Sequence, residues 1–236
     1  NTFNTAVGFE AGGAVTTGVN NTIIGGLAAD ALTVGRQNVA IGAHALGADN
    51  GGSHNVAIGL DSLAAQNFTT DTDVYNTAVG MNSGASVTTG VQNTIVGALA
   101  GDALTTGANV VAMGYAALSS DTKGFGSVAI GQQALENQNF TTATDSFNTA
   151  VGFFAGNDIT TATNNTLIGG LAGDALTTGS SNVAVGYLAL STDDVGQHNV
   201  AIGRQALENQ NIATAANTYN VAVGSSAGKS LTTGTL

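Results

Sequence analysis

Along the whole chain a five-residue cluster returns: Asn, then Thr or Val, then an apolar residue, then Val or Ile, then Gly. Its closing glycines are Gly8, Gly25, Gly42, Gly59, Gly80, Gly97, Gly114, Gly131, Gly152, Gly169, Gly186, Gly203 and Gly224. The steps between them run 17, 17, 17, 21, three times over. Three equal blocks (4–75, 76–147 and 148–219) and a final unit (220–236) cover all but the first three positions. Self-similarity at a fixed period marks stacked structural units, and no linker interrupts it here. The pattern predicts one domain over 1–236: an all-β, parallel β-solenoid of 13 coils.

Each coil predicts one short strand. Val or Ile precedes the closing Gly in twelve units and Met113 in the other; two places earlier stands Thr or Val. β-Branched residues at period two signal a strand face turned to a core. Between them lies a second apolar column: Ala6, Ile23, Ala40, Ala57, Ala78, Ile95, Ala112, Ala129, Ala150, Leu167, Ala184, Ala201 and Ala222. A strand apolar on both faces is normally covered on both. At strand spacing thirteen coils make a rod about 60 Å long. A stripe of that length is a large patch for a soluble monomer. The expectation is a symmetric homotrimer with this column at its axis. There the small Ala side chains let strands of neighbouring chains approach, and Ile23, Ile95 and Leu167 thicken the contact.

The closing Gly turns the chain sharply, and three residues later comes Ala, or Ser at Ser62 and Ser83. A second segment therefore presses closely on the strand. The next residue is Leu in the third and fourth coils (Leu46, Leu63, Leu118, Leu135, Leu190, Leu207) and small in the first and second. Thr-Thr-Gly turns, such as Thr16 to Gly18 and Thr88 to Gly90, return the chain to its start. The opening amides Asn4, Asn21, Asn38, Asn55, Asn76, Asn93, Asn148, Asn165, Asn182, Asn199 and Asn220 are missing only at Val110 and Ser127. Stacked coils would bring them into a structural ladder, each amide donating to and accepting from its neighbours.

The fourth coil of each block is the long one. It inserts four residues, at Asn67 to Tyr75, Asn139 to Phe147 and Asn209 to Tyr219. The insertions carry Phe68, Phe140 and Ile212, then Tyr75, Phe147 and Tyr219. These apolar groups suit covering the bulge made by their own insertion. As a functional reading, Phe68, Tyr75, Phe140, Phe147 and Tyr219 are candidate surface contacts for a glycan or protein receptor, on the solenoid face where insertions carry binding.

Composition narrows the chemistry. With 4 Lys+Arg against 15 Asp+Glu, the net charge of -11 argues against nucleic acid and against anionic membranes. The chain is 43% hydrophobic and 8% charged, the reverse of a disordered segment. Cysteine is absent, which removes disulfides and thiolate metal sites. No apolar run approaches the roughly 18 residues of a membrane span, so no membrane insertion is expected. Lacking an initiating Met or signal peptide, the chain reads as a mature segment or a piece of something longer. His44, His54 and His198 are the only imidazoles; by the repeat, His54 and His198 lie eight coils apart and cannot share a metal. Asp30, Asp102 and Asp174 also fall one per block, too distant to pair as acid and base. No nucleophile–His–carboxylate set interrupts the repeat, and no cofactor or catalytic activity is expected.

Asn-Val-Ala-Ile-Gly (38–42, 55–59, 199–203) and Ser-Val-Ala-Ile-Gly (127–131), each followed by a small residue three places on, resemble the head repeat of trimeric autotransporter adhesins. The longer Asn-Thr-Ala-Val-Gly-x-x-Ala-Gly units with Thr-Thr-Gly turns are similar to repeats of bacteriophage tail fibres. The resemblance spans essentially the whole chain, although the adhesin coils are shorter. It implies a left-handed parallel β-roll in which three chains pack around an axis. The function expected is a fibrous attachment protein: a trimeric, extracellular rod at a cell surface or virion tail. The alternatives are a passive structural filament or surface-layer component, and ice binding by Thr ladders. Ice binding ranks last because the Thr column is expected to face inward.

Overall fold

A computed structural model of the chain describes residues 2–234; of the final coil expected over 220–236, residues 235–236 lie outside the described residues. The described residues form no helix. They make the coils of a parallel β-solenoid, each opened by one three-residue strand. Two compact units divide the chain between Met113 and Gly114.

The first unit holds Thr5–Val7, Thr22–Ile24, Val39–Ile41, Val56–Ile58, Thr77–Val79, Thr94–Val96 and Val111–Met113, each paired in parallel with the next. The second holds Val128–Ile130, Thr149–Val151, Thr166–Ile168, Val183–Val185, Val200–Ile202 and Val221–Val223, joined the same way. Register is without slip: the middle residue of one strand faces the middle residue of the next, as Ile23 faces Ala40. The long coils keep this register because their extra residues leave the main ladder. They form small side ladders, Gly52–Ser53 with Thr72–Asp73, Gly124–Phe125 with Thr144–Asp145, and Gly196–Gln197 with Ala216–Asn217.

The strand faces are the reverse of the sequence expectation. The column from Ile23 to Ala201 that was expected at a trimer axis is 0% exposed within the single chain, and Ala222 is nearly so. Only Ala6, on the first strand, is exposed. These side chains line the inside of their own coils and cannot be the surface that meets another chain. The flanking β-branched residues point outward instead. Val39, Ile41, Val56, Ile58, Val183 and Val185 are half-buried, while Val7, Ile24, Met113, Ile168 and Ile202 are exposed. Thr22 and Thr77 share that outer face, so the inward Thr column expected above is also reversed.

The cause is the width of the coil. Opposite the strand, the segment after each closing Gly sends in the buried Leu46, Leu63, Leu118, Leu135, Leu190 and Leu207, together with the buried Ala or Ser one residue earlier in nearly every coil. Facing those Leu side chains the strand has room for a methyl group. Where it carries Ile23, Ile95 or Leu167, the wall is small: Ala29, Gly101 or Gly173 in the same coil and Gly12, Gly84 or Gly156 in the coil before. A Cβ on Gly12 would stand 2.8 Å from Ile23 Cδ1, and one on Gly156 2.7 Å from Leu167 Cδ1. Each large side chain thus meets small residues across the coil, as close packing requires. Burying each of the three large strand residues contributes about 1.5–3 kcal/mol.

The wall itself is built of left-handed residues. Leu46, Leu63 and Leu135 have φ of 55, 50 and 51, in the same place where other coils have Gly12, Gly84 and Gly156. Bonds to the next coil hold these leucines in that conformation: Leu46 N–H donates to Ser62 O at 2.9 Å and Leu63 N–H to Ser83 O at 3.1 Å. The closing glycines have φ between 130 and 145, and within each unit, from Gly8 to Gly80 and from Gly114 to Gly203, a Cβ would strike the next closing glycine's backbone. No other residue fits that column.

The opening amides form a buried, continuous set of bonds within each unit. Asn38 Oδ1 accepts from Asn55 N–H at 2.9 Å, and its Nδ2 donates to Gly52 O at 2.8 Å. In the second unit Asn165 Oδ1 accepts from Asn182 N–H at 2.9 Å, and its Nδ2 donates to Gly179 O at 3.0 Å. Each amide thus ties its strand to the next coil and to the turn that ends its own coil. At Val110 the N–H still donates to Asn93 Oδ1, at 3.1 Å, but no side-chain amide continues the column. Ser127 instead shares a hydroxyl bond with Ser146 at 2.7 Å.

Candidate binding surface

The insertions are anchored by a buried polar pair. At one core position ordinary coils carry Val, Ile or Leu, such as Leu32, Val87, Leu104 and Ile159. The third coil of each block carries Asp49, Asp121 or Asp193 there, and the fourth Gln66, Gln138 or Gln210, all fully buried. Gln66 Nε2 donates to Asp49 Oδ2 at 2.6 Å, while Asp49 Oδ1 accepts from Gly52 N–H at 3.0 Å and Phe68 N–H at 2.9 Å. Asn76 Nδ2 then donates to Gln66 Oε1 at 2.9 Å. Asp121 with Gln138 repeats the arrangement. Asp193 with Gln210 keeps its core. The sequence reading missed this set. Its signal was a carboxyl and an amide recurring once per block where neighbouring coils are aliphatic.

The insertion aromatics divide into two kinds. Phe140 and Ile212 are each 6% exposed and Phe68 is half-buried. They cover the bulge, so Phe140 is corrected from surface contact to core. Tyr75, Phe147 and Tyr219 are 50%, 55% and 51% exposed. Each rests one side on the preceding coil. Tyr75 stacks on His54 with ring centroids 4.9 Å apart, and Tyr219 on His198 at 5.1 Å. Phe147 lies over Gly126, where a Cβ would come within 2.8 Å of Phe147 Cδ1. Two of the histidines are therefore ring partners, and the middle block replaces the imidazole by a glycine that its own Phe covers.

In the first block the same edge gathers charge. Arg36 Nη1 lies 3.3 Å from Asp71 Oδ2 and Arg36 Nη2 3.5 Å from Asp73 Oδ1; His54 Nδ1 is 3.1 Å from that Asp73 oxygen. Ser53 Oγ donates to Asp71 Oδ1 at 2.6 Å and accepts from Arg36 N–H at 3.0 Å. Serine, imidazole and carboxylate thus do meet at one interruption of the repeat, contrary to expectation. The hydroxyl is held by Asp71 and the Arg36 backbone, which is not the hydroxyl-to-imidazole geometry of a nucleophile. The signal was Arg36 and Asp71 in one block alone: their matching positions in the other blocks are Ala143, Ala215, Ala108 and Ser180, whereas Asp73 is matched by Asp145 in the second block.

Elsewhere, burial raises the carboxyls of Asp102 and Asp174 above the ordinary carboxylate range, Asp174 to about 6 with a further push from Asp158. Asp102 Oδ1 and Asp174 Oδ1 are buried without a hydrogen-bond partner, which is the same penalty seen geometrically. Among the described residues no three His, Asp or Glu side chains come together in a way that could hold a metal ion. No helix among them is long and apolar enough to cross a membrane.

No protein-family model, curated protein or solved structure matches the chain.

Proposed function

We propose that the chain is a fibrous attachment protein, displayed extracellularly at a cell surface or on a virion tail, whose copies assemble as a homotrimer. The observation that carries this reading is the outer face of the strands. Two columns of Val, Ile and Thr stand half-exposed along each unit, in unbroken register. A regular apolar face of this kind is a contact surface for a partner, and a second copy of the same chain offers a face of identical spacing. The number three comes from the resemblance to trimeric β-roll repeats. The exposed Tyr75, Phe147 and Tyr219, one per block, support a receptor-facing edge that binds a glycan or a protein.

Light scattering tests the assembly: the expected mass is three times the 23.1 kDa chain. Val56→Lys with Ile58→Lys, both on the outer face, is expected to release folded monomers. A monomeric parent chain overturns the trimer. Cell binding before and after trimming the three insertions tests the edge; binding that survives trimming removes it, and a parent chain that binds no cell favours a passive filament. The outward Thr22, Thr77, Thr149 and Thr166 also give ice binding a footing that the sequence reading denied it. A solution without thermal hysteresis excludes that second reading.

A further inference from the structure

A second aromatic row stands in the second unit, on the residue that follows each closing glycine. Its successive members are Tyr115, Gln132, Phe153, Gly170, Tyr187, Arg204 and Ser225. Tyr115, Phe153 and Tyr187 are 53%, 52% and 50% exposed. Their backbone is fixed coil by coil. Tyr115 O accepts from Gln133 N–H at 2.9 Å, Gln132 O from Phe154 N–H at 3.0 Å, Phe153 O from Leu171 N–H at 2.9 Å, and Tyr187 O from Gln205 N–H at 2.8 Å. Aromatics therefore recur at every second coil, about 9.6 Å apart at strand spacing.

The intervening positions shape the row. Gly170 has no side chain, and Tyr187 Cδ2 comes within 3.6 Å of where its Cβ would be, so the tyrosine leans across the gap. Phe153 rests against Phe154 with centroids 4.4 Å apart. Gln132, between Tyr115 and Phe153, and Arg204, one coil beyond Tyr187, are both exposed and set hydrogen-bonding groups along the row. Arg204 is the one charged member of the row.

We propose that this row binds a neutral, extended β-linked polysaccharide, and the proposal deepens the attachment reading on which it rests. In such a chain each disaccharide advances by nearly the distance between alternate coils, and every second sugar presents the same face. One apolar sugar face can then rest on each ring, while hydroxyls meet Gln132, Arg204 and the two tyrosine hydroxyls. A protein segment would use main-chain bonds, and the carbonyls of this column are already spent on neighbouring coils. A strongly acidic polymer would want more than one cation.

Calorimetry with β-linked oligosaccharides of six glucose or six N-acetylglucosamine units tests it on the whole chain. The hexamers are expected to bind, and to bind at least tenfold more tightly than the matching disaccharides, which reach a single ring. Tyr115→Ala, Phe153→Ala and Tyr187→Ala should each weaken binding several-fold, up to about tenfold. Tyr187→Phe should keep the stacking and most of the affinity. Thermal melts of the half-exposed variants report folding independently. The proposal is overturned if neither hexamer binds, or if the triple alanine variant binds as the parent does. It is equally overturned if that variant changes the mass of the assembly, which would make the row a contact between copies. Cell attachment by a triple variant that has lost sugar binding separates the two ideas: retained attachment leaves the general reading standing and removes this row as its cause.

Discussion

Ile95 occupies the space that Gly84 leaves open: a Cβ on Gly84 would stand 2.9 Å from Ile95 Cδ1. Gly84 also sits at φ 58, in the left-handed region. Gly84→Ala therefore combines overpacking with backbone strain and is expected to cost about 2–3 kcal/mol. Ile95→Ala opens a cavity and should cost about 2–5 kcal/mol. The third and fourth coils carry Leu at the wall position of Gly84, facing Ala on the strand. The double variant Gly84→Leu with Ile95→Ala is accordingly expected to recover part of the loss. Urea melts of the set decide this, and strict additivity would count against the complementarity.

Removing one ladder amide exposes its partners. Asn165→Ala leaves Gly179 O and Asn182 N–H without their bonds in a buried column. Each stranded group costs about 1–3 kcal/mol. The expected loss is thus several times that of a surface Asn→Ala change such as Asn209→Ala, measured by the shift of the denaturation midpoint.

Asp49 is the acceptor that closes the first insertion. Asp49→Ala strands Gly52 N–H, Phe68 N–H and Gln66 Nε2 at once. Destabilisation of about 3 kcal/mol or more is expected. Hydrogen exchange should show the loss concentrated at 66–76, whereas an even loss along the unit would assign Asp49 no special part in holding the insertion.

Acid should stabilise the chain through Asp174. Its carboxyl is pushed up to about 6 by burial, from 3.8. Between those values the folded chain keeps a proton that the unfolded chain has released, so stability falls as pH rises through that window. Above pH 6 the ionised group costs about 1 kcal/mol once solvent screening of a half-buried position is allowed for. Asp174→Asn should raise Tm at pH 7 by about 2–4 °C and leave it little changed at pH 4. An equal shift at both pH values would place the effect elsewhere.

Much of the fold was legible because a repeat averages out local ambiguity. One Asn-Val-Ala-Ile-Gly is weak evidence; thirteen units of the broader pattern in fixed register specify coil length, strand position and the sharp turn at Gly. The insertion edge was legible at Tyr75, Phe147 and Tyr219. It failed at Phe140, because an aromatic beside a bulge fits inside or outside equally well in one dimension. The Asp49–Gln66 pair and the Arg36–Asp71–Asp73–His54 group joined residues from different coils. They needed the repeat read vertically, coil against coil, rather than along the chain.

What the sequence by itself determined is the period: one short strand of alternating sides per coil, with every fourth coil lengthened. Alternation leaves two assignments of inside and outside, related by a shift of one residue. Ranking by hydrophobic size chose Val and Ile as the inner face. Tertiary structure decided otherwise, because the space inside a coil is set by what comes in from the opposite wall. Leu46 and Leu63 reach across and leave the strand a methyl's width, so Ala40 and Ala57 turn inward and the larger Val39, Ile41, Val56 and Ile58 turn outward. Volume matching across the coil is a property of two distant segments together, and no single strand carries it.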